Sequence, residues 1–362
     1  VPNIVPFASS FQAKWTPSTA YLQTPKRTLH DKIGDGLWNL VSILIPVIGL
    51  ARLLAHGLGQ IALRKVLPAV YLPREVKDEY KKSFHNFWYA HKMETVNQRL
   101  LRDLYSAEPH AVATPDGAEL HAQLFRYKNA QADTPLIIYF SSNAFLSMEE
   151  AYLWLINLAV QRQLPCHFVL FDYRSAGNSK GMFKRTKDLL VDGISIIQWV
   201  KEGLKIPADQ IHFYGRSLGG AIALESQAMD PTLTGRNVNE RSFYSIHAVV
   251  ESEFVKGPLK ILSPVFRWLV ESLGCELNPL EAFLRLPVKK MVVYHPKDPI
   301  VPYRASLEGQ LQGIEHESLE LKAMDEEKGA NHHNRPICEY VDAESGKPAG
   351  DCILDFILLG KT

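Results

Sequence analysis

The stretch Ile211–Ala228, IHFYGRSLGGAIALESQA, decides how the rest of the chain is read. Four residues of strand-like pattern, IHFY, run into Gly215-Arg216-Ser217-Leu218-Gly219-Gly220, and a helix-forming run rich in Ala and Leu follows with no polar linker. Strands normally reach helices through polar loops, so this direct passage predicts a very tight turn with Ser217 at its apex. Side chains at Gly215 or Gly219 would collide with the neighbouring strand and helix, which accounts for the glycines. A Gly-x-Ser-x-Gly match arises by chance in a chain this long with a probability on the order of 0.1. The strand before it and the helix after it therefore carry the argument.

Outward from this turn, from about Glu108 onward, short apolar runs alternate with segments of helical period, the pattern of an α/β sheet covered by helices. Strands are expected over 111–113, 118–127, 135–140, 166–173, 211–214, 288–295 and 318–322, with Asp116-Gly117 as a hairpin turn. Helices are expected over 148–161, 187–202, 219–229, 259–273 and 304–313. The runs LIIYF, FVLF and MVVY are continuously apolar, as strands buried on both faces of a parallel sheet require.

The N-terminal third is different in kind. Residues 36–51, GLWNLVSILIPVIGLA, carry no charge, and after Arg52 the apolar character resumes as far as Leu63. A spanning helix needs roughly 20 apolar residues; this run is shorter and contains Pro46 and Gly49. Two readings stand side by side: a membrane-associating segment over 36–63 lying at an interface, or a hydrophobic helical pair packed on the domain that follows. The expected division is a helical N-terminal extension over 1–107 and a catalytic α/β domain over 108–362.

The chain has 362 residues, 46% of them hydrophobic, enough to fill a sizeable core. A formal net charge of +1 without a dense Lys/Arg stripe argues against nucleic acid as a partner. Cys166, Cys275, Cys338 and Cys352 are far apart, which supports neither zinc binding nor a disulfide framework.

Strand, tight turn and helix together make the nucleophile elbow of the α/β-hydrolase fold. A serine hydroxyl is a weak nucleophile at neutral pH and needs a base, which in turn needs an orienting acid. In this fold they follow in the order Ser, Asp or Glu, His. Asp298 comes just after the strand-like run that ends in MVVY, where the acid is expected, and the segment KGANHHNRP supplies adjacent His332 and His333. One of the two is the base. His332 completes Gly329-x-x-His, whereas His333 precedes Asn334 and is the first choice. Adjacent histidines rarely aim both rings at one ion, and no HExxH or carboxylate cluster accompanies them, so neither metal nor cofactor is expected. The oxyanion requires the backbone N–H of Leu218 and a second donor at the backbone of Asn143 or Ala144, in the Ser141–Phe145 loop.

The motif order from Ile137 to Asn334 resembles the α/β-hydrolase superfamily, and more closely its ABHD-like serine hydrolases. In that group the corresponding segments read His-Gly-Asn-Ala, Asp-Tyr-Arg-Gly-x-Gly-x-Ser-x-Gly, Gly-x-Ser-Leu-Gly-Gly and Glu-Asn-Thr-Phe-x-Ser-Ile. Here they read Ser141-Ser142-Asn143-Ala144, Asp172-Tyr173-Arg174-Ser175-Ala176-Gly177-Asn178-Ser179-Lys180-Gly181, Gly215 to Gly220, and Glu240-Arg241-Ser242-Phe243-Tyr244-Ser245-Ile246. Ser141-Ser142 in place of His-Gly is a departure, as is the length of the segment from Lys322 to His333. The hydrophobic N-terminal extension with the Arg-Ser-Phe-x-Ser segment is also faintly similar to hydrolase-like proteins of intracellular bacterial pathogens.

The expected fold is thus an α/β-hydrolase with a mostly parallel central sheet flanked by helices. The expected activity is ester or thioester cleavage on a lipid or acylated protein, through Ser217, Asp298 and His333 or His332, with peripheral membrane association. The location implied is cytoplasmic or membrane-associated, including delivery of a bacterial protein into host cells. The competing readings are a catalytically silent binding or membrane-scaffold protein on the same fold, and an acyltransferase using the same triad.

Overall fold

The computed structural model describes residues 98–143, 147, 152–254, 277–325 and 331–360. The segment 36–63, nearly all of the expected N-terminal extension, the helix expected over 259–273 and Ala144 lie outside them.

In chain order the elements are α1 (Gln98–Leu104), β1 (Tyr105–Ala113), β2 (Glu119–Tyr127), β3 (Leu136–Phe140), α2 (a π turn Tyr152–Ile156 continuing as Asn157–Gln161) and β4 (His167–Phe171). There follow α3 (Thr186–Gln198, extended by a π turn Trp199–Gly203), β5 (Ile211–Arg216), α4 (Leu218–Ala228), β6 (Asn237–Glu240), α5 (Ile246–Phe254) and α6 (Pro279–Arg285). The chain closes with β7 (Lys290–Tyr294), β8 (Glu317–Ala323), β9 (Tyr340–Asp342) and α7 (Ala349–Leu359).

Among the described residues the strands form one sheet in the order β1-β2-β4-β3-β5-β6-β7-β8-β9. β4, β3, β5, β6, β7 and β8 run parallel, while β1, β2 and β9 pair antiparallel at the two edges. This is the α/β-hydrolase fold expected from the sequence.

The all-apolar strands are sandwiched because successive side chains point to opposite faces. Leu136, Ile138 and Phe140 of β3 pack on one side with Val169, Phe171, Phe213, Ile197, Ala221 and Ile222, burying α3 and α4. Ile137 and Tyr139 pack on the other with Phe168, Leu170, Tyr214, Val160, Ile353 and Phe356, burying α2 and α7. Each fully buried large apolar side chain contributes about 1.5–3 kcal/mol, so this double-sided packing makes β3 and β5 a rigid base for whatever follows their carboxyl ends.

The structure departs from the sequence reading at several elements. The strand expected over 111–113 begins at Tyr105 and pairs with β2 along its whole length, Tyr105 opposite Tyr127. Strands β6 and β9 and helices α5, α6 and α7 are additional. The helix expected over 304–313 is instead two single 3-10 turns, Tyr303–Ala305 and Glu308–Gln310. Between them Ser306 is extended and bridges to Phe243, while the Leu307 N–H donates to the Ser242 carbonyl at 3.0 Å. Pairing with the chain beyond β6 offers these backbone groups partners that a continuous helix would have to forgo.

Candidate active site

Ser217 sits between β5 and α4 with φ +52° and ψ −118°. A positive φ is uncommon for a residue with a side chain and is held by its surroundings. Its N–H donates to the Glu240 carbonyl at 2.8 Å, and its carbonyl accepts from Gly220 N–H at 3.0 Å. The flanking glycines are demanded by space. A Cβ on Gly215 would lie 2.4 Å from the Gly219 carbonyl oxygen, and one on Gly219 would lie 2.1 Å from the Phe140 carbonyl oxygen. The second approach presses the elbow against the end of β3, where the Ser141-Ser142-Asn143 loop begins. Leu218 opens α4, and the first N–H groups of a helix have no acceptor within it. The Leu218 amide and the 141–143 loop therefore adjoin at the base of Ser217.

Three residues far apart in sequence meet here. The Ser217 hydroxyl donates to His333 Nε2 at 2.9 Å, and His333 Nδ1–H donates to Asp298 Oδ2 at 2.8 Å. Asp298 follows β7, and its other oxygen, Oδ1, accepts the N–H groups of Ile300 and Val301, both at 2.9 Å. Burial pushes the Asp298 carboxyl up, but His333, the Val301 amide and the Arg241 guanidinium together hold it below the ordinary carboxylate range. An ionised Asp298 fixes the tautomer in which Nε2 can accept a proton. The His333 loop is a tight turn: Asn331 Oδ1 accepts from His333 N–H at 3.2 Å and from Asn334 N–H at 3.3 Å.

His332, the other candidate base, is placed elsewhere. Its ring stacks on His295 with centroids 3.8 Å apart and planes 12° apart, and its Nδ1 is 3.2 Å from the Tyr340 hydroxyl. Adjacent residues in a turn direct their side chains apart, so only one histidine can reach the serine. Of the expected oxyanion donors, Leu218 opens α4 directly after Ser217, Asn143 lies three residues beyond the end of β3, and Ala144 lies outside the described residues. Among the described residues no three His, Cys, Asp or Glu side chains converge as metal ligands, and no helix is long and apolar enough to cross a membrane.

Beneath the triad lies a group that the sequence reading did not assign. Glu240 of β6 is fully buried and meets Arg216, its register partner on β5, with Nε 3.5 Å from Oε1. It also pairs with Arg241 and accepts from the Tyr214 hydroxyl. The signal was present: charged residues are almost never fully buried unless paired, and Arg216 ends an apolar strand.

The sheet topology, the elbow and the order of serine, aspartate and histidine along the chain are those of the α/β-hydrolase fold. The chain is similar to the alpha/beta hydrolase domain-containing protein WAV2 of Arabidopsis thaliana, 23% identical over 233 residues, covering 64% of this chain and 68% of the relative. It is also similar to the uncharacterized protein R595 of Acanthamoeba polyphaga mimivirus, 27% identical over 239 residues, covering 62% and 72%. Among solved structures, the esterase Pf2001 of Pyrococcus furiosus aligns with a TM-score of 0.45 at 14% identity, covering 61% of this chain and 81% of that one. Est1E of Butyrivibrio proteoclasticus, solved with ferulic acid bound, aligns with a TM-score of 0.46 at 17% identity, covering 58% and 88%. No family model matches the chain.

Proposed function

We propose that the protein is a serine hydrolase that cleaves a carboxylic ester or thioester through an acyl-enzyme. The observation that carries this reading is the continuous path from Ser217 Oγ through His333 to Asp298, at 2.9 and 2.8 Å. Ser217 Oγ attacks the acyl carbonyl carbon while its proton passes to His333 Nε2, and the Leu218 N–H with an amide of the 143–144 loop receives the oxyanion. Collapse of the tetrahedral intermediate breaks the bond to the leaving alcohol or thiol, which takes the proton from His333. Water, deprotonated by the same nitrogen, then releases the acid and restores Ser217. The substrate class goes with this proposal: a lipid or an acylated protein, with the apolar 36–63 segment bringing the domain to the membrane that presents it.

The test is labelling with a fluorophosphonate, which phosphonylates activated serines, in the wild type and in Ser217→Ala, with the adduct located by peptide mass spectrometry. An adduct on Ser217 is expected, followed by turnover of acyl esters and acyl-thioesters, faster when these are held in vesicles than when dissolved. Absence of labelling under conditions where a control hydrolase reacts would sink the hydrolase reading in favour of a silent binding protein. Equal rates on dissolved and vesicle-held esters would remove the membrane part.

A further inference from the structure

We propose that Arg216 and Arg241 form a buried clamp that positions the catalytic histidine by gripping the backbone of its loop; the catalytic part of this inference rests on the serine-hydrolase reading. Arg216 Nη2 donates to the carbonyl of His333 itself at 2.5 Å. Arg241 Nη1 donates to the carbonyls of His332 at 2.6 Å and Arg335 at 2.7 Å. Two guanidinium groups thus hold three carbonyls within four residues of chain. They reach the loop from β5, whose next residue is Ser217, and from the end of β6. The strand that carries the nucleophile and the loop that carries the base are thereby tied through charge-assisted bonds, which are shorter and stronger than neutral ones.

Three features indicate that this grip is built for the loop. Both arginines are nearly inaccessible, at 3% and 2% exposure, and both pair with the buried carboxylate of Glu240. Beyond that ion pair, each guanidinium spends donors on the loop carbonyls. Arg241 adopts φ +47°, a left-handed backbone that disfavours a long side chain and persists only where the surroundings over-determine it. Its N–H is fixed by the Val293 carbonyl at 2.7 Å, and its guanidinium lies 5.5 Å from the centre of the Tyr340 ring. Tyr340 closes the same assembly, donating its hydroxyl to the His332 carbonyl at 3.2 Å. The clamp groups touch neither Ser217 Oγ nor the His333 ring nitrogens, so both arginines are positioning residues. Their expected effect is on how long Nε2 spends within reach of Ser217.

The test compares wild type, Arg241→Met and Arg241→Lys on the full chain by two readouts. Removing Arg241 leaves Glu240 balanced by Arg216, so the fold is expected to survive; Arg216→Lys serves as a second variant if Arg241→Met does not fold. Amide hydrogen exchange of 331–336 is expected to rise about tenfold in Arg241→Met, with exchange elsewhere unchanged. Fluorophosphonate labelling of Ser217 is expected to slow about tenfold, with partial recovery in Arg241→Lys, whose ammonium can still reach one carbonyl. Unchanged exchange at 331–336, exchange raised across the whole domain, or loosened exchange with undiminished labelling would each overturn the proposal. A wild type that never labels would overturn the hydrolase reading, while exchange at 331–336 would still decide whether the clamp exists.

Discussion

What a histidine can do depends on where its ring is sent, and residues 332 and 333 differ in this at the smallest scale. Both are buried, both are in one turn, and both satisfy a local sequence pattern. His333 is aimed at Ser217 and Asp298, while His332 is aimed at His295 and Tyr340. Substituting the two rings should therefore have opposite consequences. His333→Ala removes the proton acceptor and should lower the rate of Ser217 labelling by a factor on the order of 10³ or more, as loss of a triad member does. His332→Ala removes a stacked ring and one hydrogen bond, worth about 1 kcal/mol of stability, and keeps the backbone carbonyl that Arg241 holds. Its labelling rate should stay within about fivefold of wild type. The reverse pattern in parallel labelling time courses would show that the assignment of the base is inverted.

At the scale of elements, the elbow depends on how closely β5, α4 and the end of β3 approach each other. Gly219 is the tightest of these approaches, with room for a hydrogen and none for a methyl group 2.1 Å from the Phe140 carbonyl oxygen. Because the obstacle is backbone, no side-chain rotation relieves it. Gly219→Ala should cost about 1–3 kcal/mol by overpacking and should displace the Leu218 amide, so labelling should fall even in protein that remains folded. A Gly219→Ala protein with wild-type melting and wild-type labelling would show that this contact is looser than described. Such elements also mark what the sequence could reveal. β3, β4, β5 and β7 were legible because both faces are apolar, and the elbow was legible because its glycines answer a steric demand. Strand β6, NVNE, was not, because its polar composition reads as a turn. It is a buried strand only because partners from distant segments satisfy it: Gln227 Oε1 accepts from Asn237 Nδ2 at 2.9 Å, and Arg216 and Arg241 meet Glu240. The same long-range dependence hid the clamp. Helix α7 was within reach of the pattern alone, since its buried Ala349, Ile353, Phe356 and Ile357 recur at helical spacing.

At the largest scale, several buried histidines of the described residues make stability depend on pH with a definite sign. His167, His212 and His295 each use Nδ1 as an acceptor, for the N–H groups of Tyr127, Arg236 and Lys297 at 3.0, 3.0 and 3.1 Å. Only a neutral imidazole can do this, and burial pushes all three down to about 4. Above the ordinary value of 6.5 neither the folded nor the unfolded chain protonates them. Between 6.5 and 4 the unfolded chain alone takes up these protons, so each histidine withdraws stability as pH falls, at most about 1.4 kcal/mol per pH unit. Asp192 works in the opposite direction, since burial pushes it up to about 7 and the folded chain then holds its proton first. His316, raised by its hydrogen bond to Glu308, contributes fully below 6.5 and adds no slope in this window. Among the described residues His110 is lowered by burial as well, so four histidines against one carboxyl leave a net uptake of protons on unfolding. The melting temperature should therefore fall between pH 6.5 and pH 5 by on the order of 10 °C, measured by thermal unfolding in buffers of constant ionic strength. His167→Asn and His212→Asn place an amide oxygen near the Nδ1 position, where it can accept the same N–H without titrating, and should flatten that slope. A melting temperature constant over the range in the wild type, or an undiminished slope in the double variant, would show that these imidazoles are not the groups that carry the pH dependence.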